Sequence, residues 1–192
     1  MIAILKYNAG NVKSVENAVN KLGYEVMLTD DEKQLKSADK VIFPGVGEAH
    51  SAMKYLKENQ LDKVIKSLEQ PVLGICLGMQ LMCEHSEEGN TTGLGIFKTK
   101  VKKFPPLDLV PQMGWNNFTS LKGDLFQNIS LENDCYFVHS FYAEICTETI
   151  AVTDYILPFS AGLQKDNFYA TQFHPEKSSE TGLQILKNFL EL

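Results

Sequence analysis

The stretch Pro71-Val72-Leu73-Gly74-Ile75-Cys76-Leu77-Gly78-Met79-Gln80 decides the reading of this 192-residue chain. Val72 to Ile75 form a short apolar run, the pattern of a strand buried on both faces. A helical pattern follows at Leu77, Leu81 and Met82. Gly74 and Gly78 stand two residues before and two after Cys76. A strand, a sharp turn carrying a nucleophilic side chain and a helix make a nucleophile elbow, here with Cys in place of Ser. Glycine fits beside the apex because the turn is too tight for side chains and strains the backbone. The cysteine sits at a helix N-terminus, where the dipole and the free N–H groups favour a thiolate. The plainer alternative is a small buried thiol in a strand–helix unit.

Upstream of the elbow, strands alternate with helices. Ile2 to Tyr7 reads as a strand, Asn8-Ala9-Gly10-Asn11 as a turn, and Val12 to Leu22 as an amphipathic helix stopped by Gly23. Strands at Tyr24–Thr29 and Val41–Phe43 flank a polar, helix-capable connection. Two amphipathic helices are expected at 49–58 and 61–69. This alternation predicts a parallel α/β sheet with right-handed crossovers. Downstream the pattern changes. Residues 86–94 read as a loop. Short strands are expected near 98–104, 112–116, 135–141, 144–153, 160–164 and 168–173, as a mixed extension of the sheet. A helix over about 179–190 closes the chain. The fold class is α/β, an open mixed, mostly parallel sheet with flanking helices. No linker, repeat or low-complexity segment divides residues 1–192, so a single domain is expected.

Composition narrows the function classes. Hydrophobic residues make up 44% and charged residues 22%, as in ordinary soluble globular proteins. A net charge of −6 disfavours nucleic acid as a partner. All 18 positive residues are Lys, which removes bidentate guanidinium clamps from any mechanism. Cys76, Cys83, Cys135 and Cys146 show neither metal-site nor redox spacing. With no signal-peptide pattern and no apolar run long enough to span a bilayer, a cytoplasmic chain with reduced thiols and no membrane partner is expected.

A cysteine nucleophile needs a base and a group to orient it. Of His50, His85, His139 and His174, the last stands out. It follows the strand-like Thr171-Gln172-Phe173, and active-site residues of open α/β sheets gather at the carboxyl ends of strands. Pro175 disfavours a helical conformation at His174. If His174-Pro175-Glu176 is extended, His174 and Glu176 point to the same side, and the glutamate can hold one ring nitrogen. His-Pro-Glu alone recurs by chance; paired with the elbow it reads as base and orienter. Oxyanion donors are expected from the Leu77 N–H and from Pro44-Gly45-Val46-Gly47, at another strand end. Gly45 and Gly47 flank Val46, so that peptide could present either its carbonyl or its N–H to the site.

Taken together, Pro44-Gly45-Val46-Gly47, Gly74 to Gln80, and Gln172-Phe173-His174-Pro175-Glu176-Lys177-Ser178 resemble the class I (triad) glutamine amidotransferases, and the resemblance covers essentially the whole chain. Within that family the chain is similar to the glutaminase subunits that serve a cyclase of histidine biosynthesis. The features are Met79 where many sister enzymes have His, Lys177-Ser178, Met113-Gly114-Trp115-Asn116, and Tyr7 to Asn11 with Ser14. Lys6 stands where the family often has Asp, which touches nothing catalytic. The resemblance implies a flavodoxin-like fold with Cys76 as nucleophile, His174 as base and acid, and Glu176 as orienter. It implies an oxyanion hole from Val46, Gly47 and Leu77. It implies that Gly45, Gln80, Glu88 and the His139-Ser140-Phe141 backbone line the glutamine pocket. Asn11, Trp115, Tyr136 and Lys177 match positions facing a (β/α)₈-barrel cyclase subunit, with which a heterodimer is implied. No metal or organic cofactor is implied for glutamine hydrolysis. Rival readings are the glutaminase subunit of anthranilate or aminodeoxychorismate synthesis, against which Met79 and Lys177-Ser178 speak. A Cys peptidase or hydrolase of related fold is disfavoured by Gln80 and Glu88, and a non-catalytic scaffold by the complete triad.

Overall fold

Period-two alternation divides the buried strands of the N-terminal half between two cores. A computed structural model describes residues 1–8 and 10–192; Ala9, in the expected turn 8–11, lies outside the described residues. Strands β1 (Ile2–Leu5), β2 (Val26–Thr29), β3 (Lys40–Phe43) and β4 (Val72–Ile75) alternate with helices α1 (Val12–Lys21), α2 (Glu32–Ser37), α3 (Ala49–Glu58) and α4 (Leu61–Lys66). The chain continues through α5 (Leu77–Met82), β5 (Cys83–Ser86), β6 (Thr91–Thr92), β7 (Phe97–Lys103), β8 (Gln112–Asn116) and β9 (Ser120–Leu121). It ends with β10 (Cys135–His139), β11 (Phe141–Ala143), β12 (Thr149–Tyr155), β13 (Leu157–Lys165), β14 (Phe168–Thr171) and α6 (Ser179–Glu191). Ala3, Leu5, Val41, Phe43 and Val72 join a core with α3, α4 and α5. Their neighbours Ile2, Ile4, Ile42, Leu73 and Ile75 join a second core with α1 and α6. The sheet therefore lies between two helical layers, and its central strands need apolar residues at every position.

The expected open mixed sheet is present. Strands β2-β1-β3-β4-β14 run parallel, and β13, β11, β7, β5 and β6 extend the sheet beyond them. β4 is flanked by β3 and β14, with Phe43 opposite Gly74 and Thr171 opposite Ile75. Segments separated by about a hundred residues in sequence thus end side by side.

The chain departs from the sequence reading in several places. Residues 86–94 are not simply loop: β5 pairs with β6, His85 opposite Thr92, around a 3₁₀ turn at Glu88–Asn90. The expected strand 135–141 bends at Ser140, whose carbonyl accepts the Phe104 N–H at 3.0 Å. Its first part, β10, pairs with β8 in a separate two-stranded ribbon, and only β11 joins the main sheet. The expected strand 144–153 begins at Thr149, and its hairpin with β13 reverses at Ile156, at a φ of 62°. Helix α4 ends at Lys66, three residues early, where the Ser67 N–H turns back to Lys63 and Val64 carbonyls.

Candidate active site

Cys76 follows β4 directly and has φ 52° and ψ −106°, outside the regions an L-residue ordinarily occupies. Such strain persists only where the surroundings enforce it. Here the Cys76 N–H donates to Thr171 O at 2.8 Å, and its carbonyl accepts the Gln80 N–H at 3.1 Å. Gly78 is required by close approach: a Cβ there would lie 1.9 Å from the Phe43 carbonyl oxygen, so α5 could not seat against the end of β3. The elbow read from the sequence is present, although α5 has only six residues.

His174 lies just beyond β14 with only 1% of its surface exposed. Its backbone N–H donates to Tyr136 O at 2.9 Å, and Ser178 Oγ donates to its carbonyl at 2.6 Å. Its Nδ1 lies 2.8 Å from Glu176 Oε1. The expected route to that contact is corrected: Pro175–Lys177 is a 3₁₀ turn rather than an extended segment. Pro175 occupies the first position of that turn, where its fixed φ suits and its missing N–H is not needed. Asn11 Nδ2 donates to the same Glu176 oxygen, so Asn11 faces the acid of the constellation, a contact the sequence reading did not anticipate.

Burial disfavours a charged His174, but the hydrogen bonds and negative charges of Cys76 and Glu176 outweigh it and hold the imidazolium up to about 10. Among the described residues His174 Nε2 has no hydrogen-bond partner of good geometry. Loose contacts between nucleophile and base are usual before substrate binds. His139 is the opposite case. Burial lowers it to about 4, against the Phe141 carbonyl that its Nδ1 meets at 2.7 Å. Its Nε2 lies 3.0 Å from the Gln112 carboxamide, so it is a neutral structural ring. The other thiols are unreactive by environment: burial pushes Cys135 up to about 12, and raises Cys83 and Cys146 as well.

A cavity of about 320 Å³ opens over Cys76. Of the expected pocket residues, Gln80, Glu88, Ser140 and Phe141 line it, with Val46, Gly47 and Leu77 from the expected oxyanion segments; Pro111 and Val138 also line it and were not anticipated. Glu88 accepts the Ala49 N–H at 2.8 Å, and its carboxyl is raised, chiefly by partial burial. Gly45 is not on the wall. Its carbonyl accepts the Leu77 N–H at 3.3 Å. This corrects the oxyanion reading in one respect: the carbonyl turned toward Leu77 is that of Gly45. Because a peptide is planar and trans, the Val46 N–H of the same peptide points the other way. The Leu77 donor is therefore occupied and the Val46 donor averted. Just upstream, Tyr7 Oη donates to Pro44 O at 2.6 Å, and burial, with the charge of Cys76, keeps that phenol protonated. A Cβ on Gly45 would lie 2.3 Å from this hydroxyl, which explains the glycine.

The expected partner-facing residues do not line the cavity, although Tyr136 lies on β10 with the lining residues Val138 and His139. Trp115 on β8 is 56% exposed, so it is no core residue, and its ring meets Tyr136 of β10 edge-on at 5.9 Å. Met113 on the same strand is also exposed, as is Lys177. Among the described residues no group of three or more His, Cys, Asp or Glu side chains could hold a metal ion, and no helix is long and apolar enough to cross a membrane.

Known proteins resemble this chain over essentially its whole length. The chain is 60% identical over 194 aligned residues to imidazole glycerol phosphate synthase subunit HisH of Bacteroides fragilis, covering 100% of this chain and 99% of that protein. It is 46% identical to the HisH subunit of Haemophilus influenzae, over 99% of this chain and 96% of that one. The solved structure of PurLQS from Thermotoga maritima shares the fold, with a TM-score of 0.75 at 16% identity over 99% of this chain and 97% of its own. A structure described as glutamine amidotransferase gives a TM-score of 0.71 at 18% identity, over 99% and 97%. The family described as glutamine amidotransferase class-I matches residues 3–192, and the chain belongs to that family.

Proposed function

We propose that this chain, acting as one domain in the cytoplasm, hydrolyses glutamine to glutamate and ammonia through Cys76, His174 and Glu176. The ammonia passes to a cyclase subunit built as a (β/α)₈ barrel, which forms imidazole glycerol phosphate and an aminoimidazole carboxamide ribonucleotide. The observation that carries this reading is the meeting of two adjacent strand ends: Cys76 in a strained elbow after β4, and a buried His174 held 2.8 Å from Glu176 after β14. The identity to HisH subunits supports the choice of pathway.

The chemistry follows from the charges. The Cys76 thiolate attacks the side-chain amide carbon of glutamine, and the oxyanion is stabilised by backbone N–H groups. Protonated His174 gives its proton to the leaving nitrogen, ammonia departs, and a γ-glutamyl thioester remains. The sulfur is now uncharged, so the main interaction that raised His174 is gone and its neutral form is favoured. His174 then takes a proton from water, whose oxygen attacks the thioester; glutamate leaves and the thiolate–imidazolium pair returns. Glu176 holds Nδ1 throughout and stabilises the imidazolium. Gln80, Glu88 and the Ser140-Phe141 backbone hold the glutamine.

The closed Gly45–Leu77 contact supports a gate. Rotation of the Gly45–Val46 peptide frees the Leu77 N–H and turns the Val46 N–H inward, creating two donors at once. We assign to the Trp115, Tyr136, Lys177 and Asn11 surface the contact through which the liganded cyclase favours that rotation. The test is steady-state glutamate formation with and without the liganded cyclase subunit. One missing oxyanion donor costs about 10²–10³ in rate, so the partner should raise kcat by at least that factor with a smaller effect on KM. High activity of the chain alone, unchanged by the partner, would overturn the gate.

A further inference from the structure

A buried chain of amides connects the pocket wall to the sulfur of Cys76. Gln172 is wholly buried, two residues before His174. One end of its carboxamide lies 3.0 Å from Gln80 Nε2 and the other 3.7 Å from Cys76 Sγ. Which end is which is fixed by the backbone. Gln80 Nε2 lies 2.9 Å from the Phe141 carbonyl, which can only accept. The Gln80 end at that point is therefore its NH₂ group. The Gln172 atom facing that NH₂ group must accept, so it is Oε1. Nε2 of Gln172 is then the end presented to the sulfur. Turning the amide over would set NH₂ against NH₂ and an oxygen against the thiolate, both repulsive.

We propose that Gln172 is a catalytic residue whose Nε2–H donates to the Cys76 sulfur and stabilises the thiolate before it attacks glutamine, with Gln80 locking the donor in place. This rests on the reading of Cys76 as nucleophile. The same carboxamide of Gln80 thus has two duties, lining the glutamine pocket and fixing the donor to the sulfur. Once the thioester forms, the sulfur carries no charge and the bond weakens; it strengthens again as the thiolate leaves when the thioester is hydrolysed. A hydrogen bond to a charged group, made in a buried site, shifts the balance between thiol and thiolate by about tenfold or more.

The test is the rate at which iodoacetamide alkylates Cys76 in the full chain, read by peptide mass mapping across pH, with thermal melting as a check on folding. Gln172→Met keeps the length and removes the donor. Gln172→Glu keeps the shape and the acceptor for Gln80 but presents oxygen to the sulfur. The titratable groups coupled to the sulfur are His174 and Tyr7, and both variants leave them in place; Gln172→Glu adds a carboxyl of its own, so the pH profile is read on Gln172→Met. Each variant should alkylate Cys76 at least about tenfold more slowly at neutral pH, with the Gln172→Met rate converging on the native rate at high pH, where both thiols are ionised. A purely structural role would lower the melting temperature without moving this pH profile. Native alkylation rates at neutral pH in folded Gln172→Met, which has no donor at this position, would overturn the proposal. If Cys76 of the native chain labels no faster than the partly exposed Cys146, the nucleophile reading itself fails. Fast native labelling that the variants leave unchanged refutes the role of Gln172 alone.

Discussion

Replacing His139 by Gln should remove an acid sensitivity that the fold builds in. The ring is buried among Phe104, Phe137 and Phe159, with centroids 5.2 to 5.8 Å away, and its protonation is lowered to about 4. In the unfolded chain an ordinary histidine titrates near 6.5, so below that pH the unfolded state binds a proton the native state refuses. Stability therefore falls as pH drops from about 6.5 toward 4. At about 1.4 kcal/mol per pH unit, the full gap amounts to about 3 kcal/mol, a large part of the net stability of a domain. His174 does not confound this window. Its raised protonation gives stability that is complete below 6.5 and lost only as pH rises toward about 10. The assay is urea unfolding of the native chain and His139→Gln at several pH values from 7.5 to 4. The variant loses ring contacts and is less stable at neutral pH, so the slope and not the height is diagnostic. The native chain should lose about 3 kcal/mol more than the variant on acidification. Parallel losses would mean that His139 accepts a proton in the folded state, and the neutral-ring account would be refuted.

Two further outcomes follow from the site. Glu176→Gln should retain more glutaminase activity than His174→Ala, because losing the orienter misplaces the imidazole while losing the base removes it; kcat measured with the partner present decides, and the reverse order would give Glu176 another role. Tyr136→Ala and Lys177→Ala, at the proposed partner surface, should each leave glutamate formation measurable while lowering the product formed per glutamine consumed. Unchanged coupling in both would move the ammonia exit elsewhere.

The sequence revealed the elbow because local sterics dictate it: a strained apex beside Phe43 O leaves only glycine at position 78, and such punctuation is visible without a structure. The parallel half was legible for a similar reason, since strands buried on both faces must be apolar throughout. What stayed hidden depends on distant partners. Asn11 reads as a turn residue, yet its carboxamide meets Glu176, 165 positions away. Gln172 reads as the polar end of a strand, although its place two residues before His174 put it on the same side of the chain. The closed state of the oxyanion segment depends on one peptide orientation, to which glycine is indifferent. The two strands of the β12–β13 hairpin were expected, but its tight reversal was not, because Ile156, rather than Asn or Gly, takes the positive φ there. The 3₁₀ turn after His174 achieves what an extended segment would have achieved, so a correct pairing came from an incorrect local conformation.

The central claim is that Cys76 carries glutamine hydrolysis. Glutamate formation by Cys76→Ala, measured beside the native chain with the liganded cyclase subunit present, tests it most directly. The account predicts a folded variant with no detectable glutamate above background, and glutamate formation close to the native rate in Cys76→Ala would contradict it.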